Sequence, residues 1–163
     1  FKEWKETGVE DTCQDCHMPR KKSRLTQKLP LSLLHKEKWV GNHKFLHGDL
    51  TEKDILIEVE FKDRFFNFSL LNKNVPHRVP TADNGDPRLY LYITFLNAAG
   101  EQVDKNKWIL APQQDTALPF HKKMDYRYRL FDPVAQVNIV LKYQPAWSKE
   151  KDLVWEKTVK PMT

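Results

Sequence analysis

The sequence predicts a mainly β protein: a β-sandwich over residues 52–163, preceded over residues 1–51 by an irregular segment with short helical turns. Three observations carry this. After residue 52, apolar and polar residues alternate in many short runs, the period of a strand with one buried face. Turn-forming Pro, Gly, Asn and Asp separate the runs at short intervals, as in all-β domains. No amphipathic helical pattern longer than ten residues interrupts them.

Taken in order, Ile55 to Phe61 sets Ile55, Ile57, Val59 and Phe61 on one face, and Phe66 to Leu71 repeats the alternation. Lys62-Asp63-Arg64 makes a hairpin turn between them. Arg88 to Leu96 is rich in the aromatic and β-branched residues that favour strands. Asn97 to Glu101 turns with a Gly, and Val103 begins the return. Trp108 to Leu110, Tyr126 to Phe131, Val137 to Tyr143 and Val154 to Val159 complete the strands. Before residue 52 the chain is charged and irregular, with one apolar run at Leu31 to Leu34 and His35 reading as a partly exposed helical residue.

Composition bounds the function. With 163 residues, 40% hydrophobic and 12% aromatic, the chain can bury a real core without disulfide or metal staples. The net charge is +5 and the bases cluster at Arg20-Lys21-Lys22 and Arg24. No nucleic-acid-binding motif accompanies them, which leaves a solvated face or a docking surface for an acidic partner. No apolar run approaches the ~18 residues of a membrane span, and the first residues hold no signal-peptide core. Beginning at Phe1, the chain reads as a processed product or an excised fragment. Paired carboxylates, a Ser/His/Asp order and a Gly-rich phosphate loop are missing, so nothing points to an independent hydrolase or kinase.

The chemistry lies in the two cysteines, Cys13-Gln14-Asp15-Cys16-His17. A structural zinc site needs four ligands, and no second Cys pair is present. A thioredoxin-like pair follows a buried strand, whereas Lys5 to Thr12 is polar and charged. A disulfide closing so short a loop adds little stability. C-x-x-C-H is the signature of covalent c-type haem attachment. Two thiols bond the haem, and the adjacent His17 serves as an axial iron ligand, which retains the cofactor without a deep pocket. Met18, beside His17, cannot reach the opposite face of the same haem.

Cys13 to Arg20 resembles the C-x-x-C-H-M-P-R stretch of multihaem cytochromes c. Gly41-Asn42-His43-Lys44-Phe45-Leu46-His47-Gly48 resembles the H-x-F-x-G-type element that follows it. His77-Arg78-Val79-Pro80-Thr81 resembles the G-H-x-x-P-T-G motif of their carboxy-terminal parts, with Pro76 and Ala82 at the two Gly positions. Arg88 to Ile93, then Asn97 to Val103, is similar to the strand and D-x-x-G-x-x-V pattern beyond it.

The resemblance implies the carboxy-terminal part of a multihaem cytochrome c, with haem c bound through Cys13, Cys16 and His17. It makes His43 the first choice for sixth iron ligand and His77 the second. His47 follows, and His35, His121, Met124 and Met162 are weaker candidates. The implied function is electron transfer with other redox proteins or upstream haem domains as partners, in a periplasmic or exported location where c-type maturation occurs. Two alternatives stand beside it: a β-sandwich interaction module of a redox complex, and a haem enzyme acting on small nitrogen or sulfur oxyanions. An electron-transfer protein is favoured over an independent enzyme.

Overall fold

The computed structural model describes residues 2–24, 26, 28–41, 49–81, 85–112, 114–131 and 133–161. In chain order its elements are α1 (Lys2–Glu6), α2 (Cys13–His17), β1 (Arg20–Ser23), α3 (Leu31–Leu34), β2 (Lys38–Gly41), β3 (Ile55–Lys62), β4 (Phe65–Asn72), β5 (Arg88–Leu96), β6 (Gln102–Leu110), β7 (Lys123–Arg129), β8 (Gln136–Gln144) and β9 (Asp152–Val159). They fall into two compact units, Gly8–Asp49 and Phe1–Thr7 with Leu50–Thr163.

The larger unit is mainly β, as expected, and wholly antiparallel in its two sheets, ordered β3-β4-β7 and β6-β5-β8-β9. Alternation sets the register. Leu91 lies opposite Leu141, Ile93 opposite Ile139 and Phe95 opposite Val137, and all six side chains are fully buried. In the smaller sheet Phe66 pairs with Phe61 and Tyr128, and Phe68 with Val59 and Tyr126.

These faces close on one another through aromatic contacts. The Phe66 ring meets Phe95 edge-on at 5.6 Å, Phe68 meets Trp108 edge-on at 5.0 Å, and Tyr128 stacks on Phe95 at 5.2 Å. Such edge and offset geometries suit the ring quadrupoles and add to the stabilisation from burial. Trp155 Nε1 donates to the Ile55 carbonyl at 3.0 Å, so the buried indole N–H is satisfied.

Element boundaries depart from expectation where tertiary pairing overrides local pattern. The Val103 and Trp108–Leu110 segments form one continuous β6. Its Asp104-Lys105-Asn106-Lys107 run reads as loop in isolation, but on the edge of a sheet charged residues on the solvent side cost little. β7 runs Lys123–Arg129 rather than to Phe131, with one further backbone bond, from the Leu130 N–H to the Arg64 carbonyl at 2.8 Å, at the hairpin turn. The hairpin at Asp63-Arg64 has two loop residues, with Asp63 at φ 54°, a conformation that Asp tolerates better than most residues. Residues 20–23 and 38–41 pair as β1 and β2, although neither carries an alternation signal. His35 is not helical: it caps α3 in an extended conformation and is exposed.

One polar side chain organises the loop after β4. Asn72 is fully buried, and its amide nitrogen donates to the carbonyls of Val75 (2.9 Å) and His77 (2.7 Å), with a longer bond to Leu118 (3.4 Å). Its Oδ1 accepts from the Val75 N–H at 3.1 Å, while its backbone carbonyl takes the His121 N–H at 2.9 Å. The segment from Val75 to Val79 is thereby bound to Leu118–His121, where Val79 and Leu118 exchange both backbone bonds.

Burial pushes the Tyr126 and Tyr143 phenols up from their ordinary value, with Asp152 adding a smaller contribution at Tyr143.

Three outcomes follow from this packing. Phe66→Ala lowers unfolding free energy by about 3–5 kcal/mol in urea titration. Asn72→Ala, which strands buried carbonyls, lowers it by about 2–4 kcal/mol, whereas removing the exposed Lys62 side chain leaves it within about 0.5 kcal/mol. The folded chain holds the two phenol protons longer than the unfolded chain, so their contribution is intact below pH ~10 and is lost as pH rises past it. The Tyr128 phenol is raised too, chiefly by its hydrogen bond to Asp104, so phenolate absorbance should show three tyrosines that ionise late.

Candidate functional site

Thr12 begins α2. It sits in an extended conformation (φ −86°, ψ 161°), and its hydroxyl oxygen accepts from the Asp15 N–H at 3.3 Å. The Asp15 carboxylate reciprocates, accepting from the Thr12 N–H at 2.8 Å and its hydroxyl at 2.6 Å. This is a capping box, which satisfies helix-start donors that a five-residue helix can ill spare. The Thr12 hydrogen bonds hold the Asp15 carboxyl below its usual range. At the other end Met18 leaves the helix at φ −133°, its N–H donating to the Gln14 carbonyl at 2.8 Å, and Pro19 follows, a residue that cannot continue it.

Within this turn Cys13 and Cys16 are three residues apart, on one helical face. Both are exposed free thiols. His17, the last helical residue, is half-buried. The motif residues Cys13, Cys16 and His17 thus occur on one capped turn. The cap was readable from the T-x-x-D spacing before the motif, although the cysteines alone drew the eye.

Around α2 the smaller unit is thin. β1 and β2 pair in register from Arg20–Gly41 to Ser23–Lys38. A Cβ on Gly41 would stand 4.0 Å from the Met18 carbonyl oxygen, so the paired strands begin against the end of α2. The Arg24 guanidinium donates to the Ser32 carbonyl at 3.0 Å. Ser32 is the sole buried residue among the described residues of this unit. Leu29, Leu31, Leu33, Leu34 and Trp39 remain 54–78% exposed. Among the described residues of this unit no apolar core covers them, and an exposed apolar set of this size is the kind of surface that marks an interaction site.

The other predicted ligands are scattered. His43, His47 and Met162 lie outside the described residues. His77 belongs to the larger unit, in the loop bound by Asn72, with its Nδ1 2.8 Å from the Arg78 carbonyl oxygen. His121 stacks on Phe120 with centroids 3.7 Å apart, and its Nε2 meets the Lys73 carbonyl at 2.7 Å. Met124 pairs with Leu70 and, partly buried, packs against the core. Asn72, the residue that shapes the His77 loop, has no signal in a single sequence beyond its place two residues before Asn74. Among the described residues, no three His, Cys, Asp or Glu side chains are grouped as a metal cage, and no helix is long and apolar enough to cross a membrane.

No family model and no curated protein sequence matches the chain. Its fold is similar to that of a solved structure, a penta-heme cytochrome c552 from Thermochromatium tepidum, at TM-score 0.61 and 20% identity. The match covers 98% of this chain and 49% of that one, so the chain spans about half the length of the similar protein.

Thr12→Ala and Asp15→Ala should each loosen α2. Amide exchange measured by NMR at the Thr12 and Asp15 positions then quickens by a factor of roughly 3–10, with the strands of the larger unit unaffected.

Proposed function

We propose that the chain is an electron-transfer domain carrying one covalent haem c, held by Cys13, Cys16 and His17, and that it forms part of a larger multihaem assembly. The observation that carries this is the smaller unit itself: two exposed thiols on one face of a capped turn, in a unit whose large described apolar side chains stay exposed. A unit without an apolar core among its described residues is one that a bound group would complete. The residues fit haem: Cys13 and Cys16 would form the two thioethers, His17 would supply a ligand nitrogen to the iron, and the exposed leucines of residues 29–34 would offer apolar cover. Fold similarity to a penta-heme cytochrome supports the reading.

Each residue has a separate task. The Thr12–Asp15 box sets the turn that spaces the thiols. The helix end at Met18-Pro19 fixes where His17 leaves the backbone. When bound, haem supplies an iron centre that changes charge by one electron. For the sixth ligand we carry forward His43, with His77 second. Residues 1–51 then form the attachment segment and 52–163 the β domain, in a periplasmic or exported protein.

Co-expression with a c-type maturation system is the test. The denatured chain should gain the mass of one haem, and Cys13→Ala/Cys16→Ala should abolish the gain. A mature chain with no added mass overturns the proposal. His17→Ala should keep the mass but change the Soret and α bands; His43→Ala should change them further, and His77→Ala should not. Carbon monoxide that binds the reduced protein without any substitution would instead favour an open iron and the oxyanion-enzyme alternative.

A further inference from the structure

The basic excess of this protein is local. Residues 20–38 hold seven Lys or Arg against one acid, Glu37. The other 144 residues carry 20 bases against 21 acids, taken from totals of 27 and 22, and are close to neutral. All seven of those bases are exposed. The concentration starts three residues beyond His17, on β1, whose first pair, Arg20–Gly41, lies beside the Met18 carbonyl that ends α2. Strand alternation puts Arg20 and Lys22 on one face, where Lys22 Nζ stands 5.6 Å from the centre of the Trp39 ring. Trp39 is 63% exposed. A tryptophan among fixed cations is the composition of an interface centre rather than of an idle surface.

We infer that the face formed by Arg20, Lys22 and Trp39 is the docking surface for an acidic electron-carrier protein. The inference rests on the proposed haem attachment, because its value lies in bringing the partner to the end of the Cys13–His17 turn. Charge complementarity selects the partner: a surface of one sign speeds encounter with the opposite sign and rejects its own. A membrane surface is the poorer fit. Interfacial anchoring of this kind uses a long amphipathic helix, whereas α3 has four residues and the cations lie mainly on and beside a strand pair.

The test uses the haem-loaded full chain and an acidic plant-type ferredoxin as probe, with association followed by stopped flow across a salt series. Association should quicken by roughly 10-fold or more from high to low salt. A basic mitochondrial cytochrome c should show no such gain. Arg20→Glu/Lys22→Glu should flatten the salt dependence, while Lys62→Glu/Lys149→Glu, an equal charge change on exposed residues of the larger unit, should retain it. Trp39→Ala should speed dissociation with association little altered. Equal loss in both double variants would show that net charge alone acts and would overturn the inference. So would stronger capture by phosphatidylglycerol vesicles than by the ferredoxin. The haem mass of the same sample is read separately, so a loaded chain that fails to discriminate overturns the docking surface and leaves the attachment reading standing.

Discussion

The interlock of Phe66 and Phe68 with Phe95 and Trp108 is the contact on which the larger unit depends. β4 is the middle strand of its sheet, and β5 is flanked by β6 and β8. Their inward faces are therefore sealed on both sides by neighbours: Phe61 and Tyr128 flank Phe66 of β4, and Trp108 and Leu141 flank Leu91 of β5. A ring lost from the centre leaves a void that twisted, hydrogen-bonded sheets cannot readily collapse to fill. Edge strands are freer, and β6 places four consecutive polar residues there without penalty.

The smaller unit obeys the opposite condition. Local hydrogen bonding, through the Thr12–Asp15 box and the β1–β2 ladder, holds its backbone, while its leucines find no common core among the described residues. Backbone bonds alone contribute modest net stability. In the proposed function such a unit would be held by the group attached at its two exposed thiols. The proposed cofactor and the proposed partner thus act on the same weakness: one would cover apolar surface, the other would meet concentrated charge.

How much of this could be read beforehand varied with the origin of each signal. The strands of the larger unit were legible because one face of each is buried, which forces a two-residue period on the sequence. β6 was only half legible, since an edge strand needs little of that period. The β1–β2 pair and the extended end at His35 were not legible, because the ladder between Arg20–Ser23 and Lys38–Gly41 joins segments with no apolar alternation. The packing of Met124 against the core, opposite Leu70, was not legible either, because it depends on pairing between distant strands.

Residue identity and spacing alone determined the mainly β class and the Cys13-x-x-Cys16-His17 motif, because strand period and motif spacing are local properties of the chain. Only the tertiary structure decided that Asn72 shapes the His77 loop and that the leucines of residues 29–34 stay uncovered. It also decided that the basic run lies on paired strands beginning beside the motif. Burial and pairing between distant residues are collective outcomes of packing, and no short window of sequence contains them.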